Sequence, residues 1–274
     1  MKLSLGFSPC PNDTFMFDAL VNEKFDRGAF NFDLYIQDVE ELNAMCLERK
    51  LDVSKISYHA YTKVHTDYQL LQAGSALGRG VGPLLISKRE IDISKITNLK
   101  IAAPGANTTA AFLLESAYGK IEKVKHVLFS EIEGMVLSGE VDAGVIIHEN
   151  RFTYHQRGLK LLQDLGSYWE DKTGLPIPLG GIVVRRSLPK NIKDLLNIYM
   201  RKSIEYAFKD PIDAQEYVLE YSQELKEEIV EKHIETYVNS YSLQIGKEGK
   251  LAVTRMFFEL GLKNDAITDS YLFV

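Results

Sequence analysis

Leu3-Ser4-Leu5-Gly6-Phe7-Ser8-Pro9-Cys10-Pro11-Asn12-Asp13-Thr14-Phe15 opens the chain as a strand, a loop and the start of a helix. Residues 3–7 read as a short strand. Pro9 and Pro11 end it, because proline donates no ladder hydrogen bond and fits a helix only at its first turn. Asn12, Asp13 and Thr14 are N-cap types ahead of the apolar run 15–21. The same pattern then recurs. Residues 30–36 read as a strand and 39–48 as a helix. Residues 51–56 read as a strand that turns at Ser57 into a helix over 58–64. Residues 68–72 and 82–87 add strands. Strands alternating with helices predict an α/β fold with mixed, mainly parallel sheets covered on both faces.

A second series starts near Leu99. It reads as a strand over 100–103, a cap in Pro104-Gly105-Ala106-Asn107-Thr108-Thr109 and a helix over 110–118. A strand over 125–130, a helix over 131–138 and a strand over 143–147 ending at His148 follow. Strands over 159–165 and 181–185 complete it. Residues 191–238 carry apolar positions at three and four spacing and read as almost all helix, restarted at Pro211. A last helix spans roughly 247–260. The chain therefore divides into a first lobe, residues 1–95 with 190–274, and a second, residues 96–189. The expected crossings lie at 90–98 and 185–190. Two crossings predict a hinge, and a hinge predicts a ligand cleft between the lobes. No internal repeat stands out.

Composition narrows the function. The chain has 274 residues and a net charge of −6, with 32 Lys and Arg against 38 Asp and Glu. The basic residues are scattered, which argues against a nucleic-acid partner. An acidic ligand must then be met by local donors rather than by a global field. No stretch approaches the roughly 18 apolar residues of a membrane span. The first residues lack a signal-peptide core, so the expected location is the cytoplasm. Cys10 and Cys46 cannot alone build a metal tetrad and mark no disulfide framework.

Ligands of open α/β sheets bind beyond the carboxyl ends of strands. That rule selects the loop 8–14, the turn 55–57, the loop 104–109 and the strand end at His148. The first three each present a helix start, whose free N–H groups and partial positive charge suit a carboxylate. Thr14, Ser57, Thr108 and Thr109 add hydroxyls, and Lys55 a charge, although a solvated surface lysine fits its place beside a strand as well. Taken one at a time, simple capping is the stronger reading of each site; all three facing one cleft point to a ligand. Asp142-Ala143-Gly144-Val145-Ile146-Ile147-His148-Glu149 delivers an imidazole to the sheet edge. An imidazole exchanges a proton near neutral pH. A histidine that packs at a strand end is the competing reading. Glu149 is expected on the opposite face of the strand, in a structural role.

Other chemistries lack their motifs. Gly78-Arg79-Gly80-Val81-Gly82-Pro83 lacks the full nucleotide fingerprint and leads into a strand, so it reads as a tight turn or bend that offers Arg79 as a candidate near the cleft. No Walker loop, His-Glu-x-x-His helix or Gly-x-Ser-x-Gly elbow occurs. His59, His65, His126, His155 and His233 show no metal spacing. Cys10 precedes a helix start, which favours a thiolate, but its proline flanks fit packing better. Tyr154, Tyr168 and Trp169 fit an aromatic pocket and surface packing equally.

The segment Gly6–Phe15 resembles the N-terminal signature of the 1,4-dihydroxy-6-naphthoate synthases of the futalosine route to menaquinone. Lys55-Ile56-Ser57-Tyr58, Gly78 to Pro83 and Ile146-Ile147-His148-Glu149 with Arg151-Phe152-Thr153-Tyr154 fit the same family. So do Thr173-Gly174-Leu175-Pro176 and Pro178-Leu179-Gly180, and the resemblance runs to Leu272-Phe273-Val274. It implies a type II periplasmic-binding-protein-like fold with two lobes. It implies conversion of cyclic dehypoxanthine futalosine to 1,4-dihydroxy-6-naphthoate by carbon–carbon bond cleavage, with no cofactor and no metal. It implies His148 as proton acceptor, neutral in the resting enzyme, and Lys55, Ile56, Ser57, Thr108 and Thr109 as substrate contacts. The alternatives are a small-molecule carboxylate-binding protein and the chorismate dehydratase of the same pathway. The helical stretch 191–238 is also consistent with a homodimer face, although covering the first lobe explains its apolar stripe as well.

Overall fold

The computed structural model describes residues 1–222 and 226–274. Along the chain run β1 (Lys2–Phe7), α1 (Pro11–Val21), β2 (Asn31–Ile36), α2 (Val39–Leu47), β3 (Val53–Ser57), α3 (Tyr58–Val64), β4 (Tyr68–Leu70) and β5 (Ala76–Gly78). Then come β6 (Leu84–Ser87), β7 (Ile101–Pro104), α4 (Thr109–Tyr118), β8 (Val124–Val127), α5 (Phe129–Ser138), β9 (Ala143–Ile146), α6 (Asn150–Thr153), β10 (Lys160–Asp164) and α7 (Leu165–Thr173). The return is β11 (Ile177–Arg185), α8 (Lys190–Lys209), α9 (Pro211–Tyr221), α10 (Glu227–Tyr237), α11 (Ser240–Leu243), α12 (Gly246–Glu259) and α13 (Asp269–Leu272).

The chain forms two compact units, Met1–Gly78 with Pro178–Val274, and Arg79–Ile177. It passes from one to the other at 78–79 and 177–178, not at 90–98 and 185–190. Pairing explains the difference. β6, expected in the first lobe, pairs with β9 and β10 of the second unit. Residues 180–184 of β11 pair with β3 of the first. Apolar periodicity marks a strand but not its sheet.

The first sheet has the order β2-β1-β3-β11-β4, with β5 also on β11. β1 runs parallel to β2 and β3. The returning β11 runs antiparallel to β3 and β4. The second sheet has the order β10-β6-β9-β7-β8. Its β7 is parallel to β8 and β9, while β6 is antiparallel to β9 and β10. Both sheets are mixed, and the parallel share is smaller than alternation alone suggests. A strand entering from the other unit has no crossover helix to force it parallel.

α1 holds the first core together. Ten of its 11 residues, Pro11 through Leu20, are buried. A helix buried on every side needs cover on every side. β1 supplies one layer, with Phe7 stacked on Phe17 at 4.5 Å between ring centroids. α8, α9 and α10 supply the rest. Ser203 of α8 donates to the Met16 carbonyl at 2.7 Å and accepts from the Leu20 N–H at 3.0 Å. Each of Phe15, Met16, Phe17 and Leu20 contributes about 1.5–3 kcal/mol by burial. The amphipathic stripe of 191–222 and 226–238 is thus the lid of this core. Pro211 opens α9 as expected, with Asp210 as its cap.

Two stretches differ from their sequence reading. The strand expected over 125–130 ends at Val127, and Phe129 already starts α5, with Glu131 in its favourable first turn. α7, which the sequence reading did not mark as a helix, buries Trp169 completely. The Trp169 indole N–H donates to the Pro176 carbonyl at 3.2 Å, and its ring meets Phe112 edge-on. The polar neighbours of Trp169 lie on the other face of the helix, which hid the burial.

The glycine-rich turn at 78–83 is a packing device. A Cβ on Gly82 would lie 2.2 Å from the Gly166 Cα, and one on Gly166 would lie 2.6 Å from the Gly82 Cα. The starts of β6 and α7 therefore touch backbone to backbone, and the Leu165 N–H donates to the Pro83 carbonyl at 2.9 Å. Gly80 instead sits at φ +66° with open space around it. We expect Gly82→Ala to cost about 2–4 kcal/mol by overpacking two backbones. Gly80→Ala should cost only about 1–2 kcal/mol for the left-handed backbone. Chemical denaturation of the two variants checks the order; equal losses would overturn the packing account.

Candidate functional site

The first unit assembles its candidate residues where β1 and β3 end. Pro11 takes the first position of α1, and Cys10, with extended backbone angles, is the N-cap. Asn12, Asp13 and Thr14 are therefore inside the helix and not its cap. The Thr14 hydroxyl is turned back onto the Cys10 and Pro11 carbonyls at 3.1 and 3.3 Å. It is fully buried, which removes it as the ligand donor the sequence reading offered. Asp13 instead becomes a hub. One carboxylate oxygen accepts from the Ser8 hydroxyl at 2.8 Å, and the other from the Asn12 amide at 2.8 Å.

Lys55 is the partner of that hub. The sequence left open a solvated surface lysine, but Lys55 is 5% exposed. Its ammonium lies 3.1 Å from Asp13 Oδ1 and donates to the Gly74 carbonyl at 2.9 Å. A buried charge of this kind needs a partner and full hydrogen bonding. Ile56 is buried beside it, and its carbonyl approaches Gly180 of β11. A Cβ on Gly180 would lie 2.7 Å from that oxygen and 3.6 Å from the Lys55 Cε. Gly181 next door leaves room for the Tyr58 ring, whose hydroxyl bonds Ser75 Oγ at 2.8 Å.

Ser57 is the N-cap of α3 without a side-chain cap bond. Its N–H donates to Asn43 Oδ1 at 3.0 Å, and the Asn43 amide donates to Ser57 Oγ at 3.3 Å. Asn43, on α2, was missed by sequence reasoning. A fully buried asparagine in mid-helix is the signal that exposes it, because asparagine is a poor helix interior residue unless its side chain has work elsewhere.

In the second unit, Thr108 caps α4. Its hydroxyl accepts from the Ala111 N–H at 3.2 Å and donates to the Gly105 carbonyl at 2.9 Å. The capping alternative therefore describes this hydroxyl. Thr109 opens the helix and is buried at 3% exposure.

His148 stands two residues beyond β9 in the left-handed region, at φ +58°. Such a conformation is uncommon for a residue with a Cβ and persists only where its surroundings fix it. The ring lies against Phe129, with centroids 4.7 Å apart. Phe129 starts α5, so one helix both packs β9 and backs the imidazole. On the other side α6 is tethered. The Arg151 guanidinium donates to the Gly82 carbonyl at 2.5 Å and lies 3.7 Å from Asp164. Arg157 pairs with the buried Glu133 of α5. Glu149 was expected on the opposite face of a strand. Because β9 ends at Ile146, that alternation does not apply, and a Glu149 carboxylate oxygen lies within 4.8 Å of a His148 ring nitrogen.

The remaining candidates have structural partners. Arg79 donates to the Gly174 carbonyl at 3.0 Å, and Tyr168 to the Ser116 carbonyl at 2.6 Å. Tyr154 packs on the second core. Cys46 is buried, and burial pushes its thiol up to about 11.

A menaquinone biosynthesis family model matches residues 3–261. A 1,4-dihydroxy-6-naphthoate synthase of Thermus thermophilus is 45% identical over 257 residues, covering 94% of this chain and 93% of that protein. One from Streptomyces coelicolor is 40% identical over 256 residues, covering 92% and 90%. Among solved structures, a protein of Archaeoglobus fulgidus superposes with a TM-score of 0.87 at 34% identity, covering 94% of this chain and 96% of that one. The periplasmic aliphatic sulphonate-binding protein of Escherichia coli superposes at 0.64 with 10% identity, over 94% and 87%. That last likeness concerns the fold alone, which is of the periplasmic-binding-protein type. No helix among the described residues is long and apolar enough to cross a membrane. By the extent of the family match and the identity to these relatives, the chain belongs to the menaquinone biosynthesis family.

Proposed function

We propose that this protein is a 1,4-dihydroxy-6-naphthoate synthase, a carbon–carbon lyase acting on cyclic dehypoxanthine futalosine. The observation that carries the reading is 45% identity to a relative of that name along 94% of the chain. In the proposed reaction His148 takes a proton from carbon next to the future aromatic ring. The electron pair left behind forms a carbon–carbon double bond toward the ring carbonyl, whose oxygen takes the proton back from His148. The carbon–carbon bond to the sugar-derived fragment then breaks with its electron pair kept on the ring side, while a hydroxyl of the fragment becomes a carbonyl and its proton passes to a ring oxygen. Aromatisation supplies driving force. No electrons are gained or lost overall.

The residues suit this division of labour. Left-handed backbone at His148, braced by Phe129 and the Arg151 tether, supports a base held in one orientation rather than a residue that only packs. Lys55 supports the substrate carboxylate: two of its three ammonium donors are used by Asp13 and Gly74, and the third suits an acceptor on the ligand. Ile56 supplies an apolar wall, and Ser57 a hydroxyl whose direction Asn43 sets. Thr109 supplies the hydroxyl from α4, while Thr108 holds the helix start in place as its cap.

Purified protein incubated with cyclic dehypoxanthine futalosine should release the naphthoate; binding without turnover would overturn the reading. His148→Asn should lower kcat by about 10²–10⁴-fold with KM within a few-fold of wild type. Unchanged turnover would remove His148 as the base. Thr109→Val should raise KM several-fold at unchanged thermal stability. Thr108→Val should instead lose about 1 kcal/mol of stability with its cap, read from denaturant midpoints. A reversal of that pattern would exchange the two roles.

A further inference from the structure

We propose that His233 is a positioning residue for Lys55, acting through Asn12 and Asp13. It rests on the reading above that Lys55 binds the substrate. His233 lies in the middle of α10 and is fully buried. Its Nε2 is 2.8 Å from Asn12 Oδ1. The Asn12 amide nitrogen donates to Asp13 Oδ1 at 2.8 Å, and that same oxygen is 3.1 Å from the Lys55 ammonium. Four side chains, each at most 7% exposed, thus form one line from the helical return to the end of β3.

The donor pattern along the line has a single direction. Asp13 and Lys55 face each other as carboxylate and ammonium, so Asp13 Oδ1 accepts. The Asn12 nitrogen must then point at Asp13, which turns its oxygen toward His233. That oxygen can only accept, so the histidine carries its proton on Nε2. Each link fixes the next, and the last fixes where the ammonium stands. Ser8 holds the other Asp13 oxygen at 2.8 Å, so the carboxylate cannot swing to compensate for a lost neighbour.

A bland alternative is that His233 simply fills the space between α10 and α1. An apolar side chain would do that without the cost of burying a polar group in the core to which Phe15, Val218 and Val230 belong. A buried polar chain that ends on a ligand-facing charge has a second use. It makes the place of that charge depend on the docking of α10 onto α1. Low surrounding polarity strengthens each link and makes a missing one costly.

The test uses the full chain and steady-state turnover of cyclic dehypoxanthine futalosine. His233→Leu removes the donor, and His233→Gln keeps an N–H at similar reach. We expect His233→Leu to raise KM about 10-fold with kcat changed less than about 3-fold, the signature of lost ground-state binding. His233→Gln should restore KM to within about 3-fold of wild type. In a Lys55→Met background, itself raised in KM, His233→Leu should add less than about 2-fold, because coupled residues do not act additively. An equal loss from His233→Leu in both backgrounds would overturn the relay, as would equal behaviour of the Leu and Gln variants. A normal KM in His233→Leu beside a raised KM in Lys55→Met overturns the relay alone. A normal KM in Lys55→Met overturns the substrate role of Lys55 and the relay with it. If His233→Leu does not fold, Asn12→Ala breaks the middle link and runs through the same cycle with the same outcomes.

Discussion

The burial of α1 on all its faces is the constraint from which the rest of the first unit follows. A helix with no solvent side must be roofed, and β1 alone cannot do it. The chain therefore returns after the second unit and lays α8, α9 and α10 over α1. The same burial drives the polar groups at the start of α1 to find partners inside the protein. Asp13 finds Ser8, Asn12 and Lys55. The buried lysine at the end of β3 is thus a consequence of where an apolar helix was put.

The second unit solves a different problem, that of holding one side chain in a conformation it does not favour. β9 stops at Ile146, and the backbone turns left-handed at His148. Phe129 closes one side of the ring. Arg151, bonded to the Gly82 carbonyl, fixes the turn that follows. Gly82 is held in turn by its contact with Gly166. The glycine-rich stretch that superficially resembles a phosphate loop is a backbone junction two steps removed from the imidazole.

Much of the fold was legible because apolar spacing reports burial, and burial reports elements. The strands at β1, β3, β7 and β9 and the helices α2, α3, α4 and α12 lie within a few residues of their readings. α7 was missed because Trp169 buries one face while the rest of the helix is polar. The unit boundaries shifted because β6 and β11 carry the pattern of strands without any mark of the sheet they join. Among the candidate residues, Thr14 carried the right chemical type but the wrong orientation, since a hydroxyl inside a first turn bonds its own backbone. Asn43 and Asp13 were overlooked or taken for caps, because a residue's partner from a distant segment leaves no local trace.

Sequence by itself determined most of the strands and helices, the restart of the helical return at Pro211 and the presence of a histidine at a strand end. Local sterics and hydrophobic periodicity act over a few residues, so a few residues suffice to read them. Tertiary structure alone decided which strands run antiparallel, that Lys55 is buried against Asp13, and that His148 sits left-handed against Phe129. Those outcomes depend on desolvation and close packing among segments far apart in the chain. His233 and Asn12, 221 positions apart, meet only after α10 has covered α1.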